Sequence, residues 1–163
     1  MLLFLDTEFT DFINTEVISI GLVSADGKHE FYAERTDYEI KMCSEFVRFE
    51  IIPLFDQSGF VGTKEEIGLQ LALWLRELPY DNLVIVIDYY TDWQILADLL
   101  NEQVPMKLKR YPEFVQAMVD FAPGIFINGC EEYFEQIDKR RHHALVDAKS
   151  NRHGWLAAMK TLY

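Results

Sequence analysis

The first nine residues place the tightest limit on this chain. Met1-Leu2-Leu3-Phe4-Leu5 is an apolar run that ends in Asp6-Thr7-Glu8-Phe9. Side chains alternate along a strand, so Asp6 and Glu8 point to the same side of it. Two carboxylates closing a buried strand repel each other and lose hydration, a cost that a bound cation offsets. A fold built on this strand must bring further oxygen ligands to its end.

At 163 residues and 50% hydrophobic, the chain has the apolar material for one domain, expected to cover 1–163. No apolar run approaches the ~20 residues of a membrane span, and the first residues lack the pattern of a secretory signal, so a cytoplasmic protein is expected. Cys43 and Cys130 have no metal-type spacing and read as idle thiols. The net charge of −12 argues against a nucleic-acid partner, because backbone binding is normally led by Lys and Arg. That objection weakens if several acids are metal ligands, since bound cations offset their charge.

Beyond Phe9, Glu16-Val17-Ile18-Ser19-Ile20-Gly21-Leu22-Val23 reads as a second strand with a small residue inside it. Ala25-Asp26-Gly27-Lys28 is a hairpin turn, and His29 to Ala33 is the returning strand. His29 at the turn exit reads as an exposed strand residue. From Glu34 to Gly62 the pattern is less legible: Ser44-Glu45-Phe46-Val47-Arg48 begins a helix that Pro53 limits, and Gln57-Ser58-Gly59 is loop. Thr63-Lys64-Glu65-Glu66 is a capping box ahead of a helix from Glu65 to Leu78, with Ile67, Leu71, Trp74, Leu75 and Leu78 on its apolar stripe. Pro79 ends it. Leu83 to Ile87 is a strand buried on both faces, and Thr91 or Asp92 begins a helix to about Leu100. Lys107-Leu108-Lys109-Arg110 is a basic patch, Glu113 to Phe121 is a further helix or strand, and Pro123-Gly124 is punctuation. A helical pattern returns from Ala144, with Ala148, Trp155, Leu156 and Met159 able to pack inward. Three antiparallel strands followed by helix, buried strand and helix predict an RNase H-like α/β fold, a mixed sheet flanked by helices.

Three pieces carry chemistry. They are Asp6-x-Glu8, Asp92 at a strand-to-helix junction, and His142-x4-Asp147 at the start of the last helix. In this order, across nearly the whole chain, they resemble the DEDDh group of 3′-to-5′ exonucleases. Within that group, Asp6-Thr7-Glu8-Phe9, Glu16 to Gly21 and His142 to Ala148 look like segments of its adenylate-preferring exoribonucleases. The resemblance implies an RNase H-like fold, two Mg²⁺ or Mn²⁺ ions, a homodimer and the single-stranded 3′ end of an RNA.

That chemistry suits these residue types. Phosphodiester hydrolysis uses two divalent cations about 4 Å apart to activate water and neutralise the leaving oxygen, and hard cations want oxygen ligands. Asp6 is assigned as bridging ligand, Glu8 and Asp147 to the ion carrying the attacking water, and Asp92 to a supporting position. Asp88 is the rival of Asp92. Histidine titrates near neutrality as a residue type, which makes His142 the general base. The five-residue interval to Asp147 selects it over His143, and His153 reads as structural. Phe9, Phe12, Trp93, Tyr89 and Tyr90 flank these positions, and Phe9 and Trp93 are expected to contact substrate, as is Arg141. A DNA exonuclease of the same group and a non-catalytic binding module on this fold are the alternative functions.

Overall fold

The computed structural model describes residues 1–162. Its centre is β1 (Leu2–Phe9), paired antiparallel with β2 (Val17–Ser24), which pairs antiparallel with β3 (Glu30–Arg35). A three-residue strand, β4 (Phe60–Gly62), runs parallel to β3 at one edge. Next come α1 (Lys64–Glu77), β5 (Val84–Ile87) and α2 (Tyr90–Leu100), with β5 parallel to β1 on its free side. The chain then forms β6 (Glu113–Phe114), parallel to β5 at the other edge, followed by α3 (Val115–Met118), α4 (Pro123–Gln136) and α5 (Ala144–Met159). The strand order is therefore β4-β3-β2-β1-β5-β6. This is the mixed, helix-flanked RNase H-like sheet that the sequence predicts.

Both faces of the sheet are covered. Leu3, Leu5, Ile20, Leu22 and Ile85 point toward α1 and α2, where Ile67, Leu71, Leu75, Leu96 and Leu99 meet them. On the other face Phe4, Val23 and Val86 pack with Val115, Phe126, Ala148 and Trp155. The capping box forms as expected: Thr63 Oγ1 accepts from Glu66 N, and Glu66 Oε2 accepts from Thr63 N. At the hairpin, Asp26 Oδ1 accepts from Ser24 Oγ and Lys28 N, and Gly27 takes the left-handed backbone (φ 72°) that glycine tolerates. His29 is not the exposed strand residue expected: it lies just before β3 and is half-buried, its ring edge-on to Tyr80.

The structure corrects the expectation at two places. Pro123 does not interrupt the chain but opens α4, where its fixed φ and missing N–H suit the first helical turn. Glu113 to Phe121 is neither one helix nor one strand: it divides into β6 and the single turn α3. Among the described residues no helix is long and apolar enough to cross a membrane.

Gly21 fixes how close the last helix comes. It pairs with Asp6 across β1 and β2, and a Cβ placed on it would lie 2.2 Å from Leu145 N, the backbone of the first turn of α5. The missing side chain lets α5 rest directly on the strand beside Asp6.

Candidate active site

The β1 pleat turns Asp6 and Glu8 toward α5, on the same side as Phe4, while Thr7 faces the opposite way. Glu8 is 9% exposed, and a register shift between Glu8 and Phe9 ends the regular pairing there. Asp88 directly follows β5, the parallel neighbour of β1. Asp92 stands in the first turn of α2 and is 3% exposed. Its Oδ1 accepts from Thr7 N (3.1 Å) and Thr7 Oγ1 (2.6 Å), which fixes the carboxylate against β1. Asp147 stands in the first turn of α5, and its Oδ2 accepts the backbone N–H of His142 at 3.0 Å.

These groups form two triads. In one, single ligand atoms of Asp6, Asp88 and Asp92 lie within 4.8 Å of one another; in the other, those of Glu8, His142 and Asp147 do. The rivalry between Asp88 and Asp92 has no loser, since both face Asp6. Asp88, which the sequence offers only as the rival of Asp92, joins the cluster from the end of a buried apolar strand.

Crowding of carboxylates out of water has an electrostatic signature. Burial first, then the charges of Asp92, Asp147, Glu8 and Asp88, holds the Asp6 carboxyl well above its ordinary range. Burial and the neighbouring Asp147, Asp92 and Asp88 push Glu8 up to about 9. Burial likewise raises Asp92 and Asp147 to about 7 each, against the hydrogen bonds that draw them down. Asp6 Oδ2 and Asp147 Oδ1 are buried with no hydrogen-bond partner. Converging carboxylates with orphaned oxygens fit hard divalent cations, which take oxygen ligands and supply the missing positive charge.

The loop before α5 presents His142 outward. His142 is exposed, has a left-handed backbone (φ 65°), and sets its ring edge-on to Phe46 at 5.0 Å. Behind it the loop is fastened to the sheet. The buried ring of His143 stacks on Tyr32 at 4.4 Å, and Tyr32 donates its hydroxyl to Glu34. Arg140 bonds Asp138 through Nε and Nη2 and Asp56 through Nη1 (2.6 Å). The two adjacent histidines thus have opposite environments. His153 is partly buried against Tyr133 on α4.

A cleft of about 260 Å³ opens beside Glu8, lined by Phe9, Phe12, Phe46, Val47 and His142. Phe9 meets Phe12 edge to face at 5.1 Å. This slot suits a flat heteroaromatic ring next to the carboxylates. Val47 and Phe46 come from a short helical segment whose last turns, Val47–Ile51, are wound as a π-helix. Of the other expected substrate contacts, Trp93 is half-buried and packs into the core beneath α1 and α2. Arg141 is close enough to draw the Asp147 carboxyl down, but its guanidinium is paired with Glu131 and lies over the Phe134 ring at 4.1 Å.

The RNase H-like sheet thus carries carboxylates at the ends of its two central parallel strands, β1 and β5, and an aspartate and a histidine at the start of α5 meet them. Solved structures agree at the level of fold. The nuclease domain of 3′hExo, a DEDDh family member bound to rAMP, matches with TM-score 0.63 and 16% identity over 98% of this chain and 92% of that one. Cell-death related nuclease 4 (CRN-4) matches with TM-score 0.60 and 19% identity over 99% of this chain. The chain spans 64% of the length of CRN-4. No family model and no curated protein matches the sequence.

Proposed function

We propose that this protein is a single-domain, divalent-metal-dependent 3′-to-5′ exoribonuclease that hydrolyses single-stranded RNA ends to nucleoside 5′-monophosphates. The observation that carries this reading is the convergence of Asp6, Glu8, Asp88, Asp92 and Asp147 with His142 around one group of orphaned carboxylate oxygens. Asp6, Asp88 and Asp92 form one half of the cation site, and Glu8 and Asp147 the other. Mg²⁺ or Mn²⁺ bound there would stabilise charge on the phosphate oxygens and make water more acidic.

The chain's own groups complete the reaction. Thr7 and the His142 backbone orient Asp92 and Asp147. The cleft beside Phe9 and Phe46 receives the terminal base, where stacking on an aromatic ring contributes ~1–3 kcal/mol. His142, exposed beside Glu8 and Asp147, would accept the proton of the attacking water. Water oxygen bonds to phosphorus, the phosphorus–O3′ bond breaks, and the leaving O3′ is protonated from solvent.

The likeness of the Asp6-Thr7-Glu8-Phe9 and His142 to Ala148 segments to RNase AS adds adenylate preference and a homodimer to this reading, which also takes the protein to be cytoplasmic. The test is a panel of 3′-labelled oligo(A), oligo(U), overhanging RNA duplex and DNA, each with Mg²⁺, Mn²⁺ or EDTA. Mononucleotide release from single-stranded RNA with either metal and none with EDTA is expected. Faster hydrolysis of DNA would move the substrate to that polymer, and no cleavage with any metal would overturn the enzyme reading. Sedimentation of the same preparation tests the dimer.

A further inference from the structure

A nuclease with net charge −12 must hold a polyanion, and the two arginines that precede His142 are already engaged. Arg140 is tied to Asp138 and Asp56, and Arg141 to Glu131. Lys107, in the basic patch, donates its ammonium to the carbonyls of Arg76 and Leu78 at the end of α1. Lys109 and Arg110 differ. Both are exposed, and neither makes an ion pair among the described residues.

Sheet register puts these two cations on a line with the carboxylates. Leu83, just before β5, bridges Leu108, and Lys109 N donates to Leu83 O. At the other end Ile87 pairs with Phe114, one residue short of Asp88. The free edge of the sheet therefore runs from Phe114, beside the carboxylates, back through Tyr111 to Arg110 and Lys109, at most about 17 Å of chain. Its side chains are those that single-strand binders use. Tyr111 is 80% exposed and Phe114 40%, and Phe114 lies nearly parallel to the half-exposed Tyr90 ring across the β5–α2 junction. Aromatic faces accept any base, and a few cations suffice to hold the backbone between them.

We infer that this edge is the track for the upstream part of the substrate: Tyr90, Phe114 and Tyr111 stack on bases 5′ of the scissile bond while Arg110 and Lys109 hold the phosphates between them. The inference rests on the proposed exonuclease reading and narrows its substrate to strands long enough to reach past Asp88 onto the edge. A paired strand cannot turn its bases onto these rings, so the track also selects single strands.

The experiment compares the wild type with Lys109→Ala/Arg110→Ala and with Tyr111→Ala/Phe114→Ala, using a dinucleotide and a longer single-stranded oligomer. Each pair should shrink the kcat/KM advantage of the longer substrate roughly tenfold. Oligomer binding followed by fluorescence anisotropy in Ca²⁺ separates the two contributions. The basic pair should lower the slope of log Kd against log salt by about 1.4, two contacts at about 0.7 each, whereas the aromatic pair should weaken binding with little change in slope. If the wild type cleaves nothing but these binding changes appear, the exonuclease reading fails and the track stands. If the wild type cleaves and both variants keep its length dependence and its salt slope, the track is overturned while the reaction remains. Variants that bind the oligomer normally but sediment as a smaller species would also overturn it, marking the edge as an interface between copies of this chain.

Discussion

The backbone N–H of His142 donates to Asp147 Oδ2 at 3.0 Å. The histidine that would move the proton and the carboxylate that would hold a cation are therefore one mechanical unit, joined by a bond that does not involve the imidazole. Side-chain changes at position 142 can remove the base and leave that bond in place.

Replacing His142 tests its role as base. His142→Gly should lower the turnover rate by about 10²–10⁴ on single-stranded RNA while leaving Tm unchanged, because glycine accepts the φ of 65° and the side chain is exposed. His142→Ala should lose the same activity with little change in stability, because the wild-type histidine already carries a Cβ in the left-handed backbone. Wild-type turnover in the glycine variant would remove His142 from the reaction.

His143 should behave in the opposite way. Its buried ring is stacked on Tyr32, so His143→Ala should cost about 2 kcal/mol of stability, read by urea unfolding. Any loss of activity should be largely recovered by assaying well below its Tm. A fully stable but inactive variant would exchange the roles of the two histidines.

The raised carboxyls set a pH dependence for the metal-free protein. Glu8 titrates at about 9 and Asp92 and Asp147 at about 7 in the folded chain, against ordinary values of 4.5 and 3.8. Between those limits the native state binds more protons than the unfolded one, so this contribution to stability is whole below about pH 4 and falls as pH rises toward 9. A divalent cation replaces the lost protons. The Tm gain on adding Mg²⁺ or Mn²⁺ should therefore be larger at about pH 8 than at about pH 5. Equal gains at both, by differential scanning fluorimetry, would disconnect the cluster from metal binding.

Thr7 is predicted to act through Asp92. Thr7→Val removes the 2.6 Å hydroxyl bond to Asp92 Oδ1, which should raise the Asp92 carboxyl further and weaken metal binding at neutral pH by about 10- to 100-fold. Thr7→Ser should restore it. Calorimetric titration of Mn²⁺ into the three proteins gives the comparison directly.

Gly21→Ala places a methyl group against the backbone of α5. Overpacking of this kind costs about 1–3 kcal/mol, and here it should also push Asp147 away from Asp6. Metal affinity should fall more than stability alone would explain. A variant with wild-type metal affinity would show that α5 can move without carrying the site with it.

Much of this arrangement was legible in the sequence where local pattern and tertiary role agree. The β1 run with Asp6 and Glu8, the Thr63 capping box, the buried β5 and the His142 to Asp147 interval each carry their own signal. The illegible parts depend on partners. β4 is three residues and exists because β3 offers an edge, and β6 is two residues held by β5. Neither is long enough to show a period. Pro123 reads as punctuation in the sequence because proline interrupts chains as readily as it opens helices, and only the structure shows which. Asp88 reads in the sequence only as a rival of Asp92 because strand pairing, not sequence spacing, sets it next to Asp6. Engagement of Arg141 by Glu131 follows from the packing of α4 against α5, which no motif announces.

Asp6 lies on the first strand and Asp147 on the last helix, so the cluster exists only after most of the chain has been threaded between them. Contacts this distant in sequence form late, because the loops that join them must first be ordered. Docking α5 also brings mutually repelling carboxylates together, which makes that step uphill in charge. Folding and loading are thereby coupled in time: a cation arriving early has no cage to enter, and one present at the end lowers the barrier to closing it. The rate at which a refolding chain captures Mn²⁺ then measures how fast its last helix settles onto its first strand.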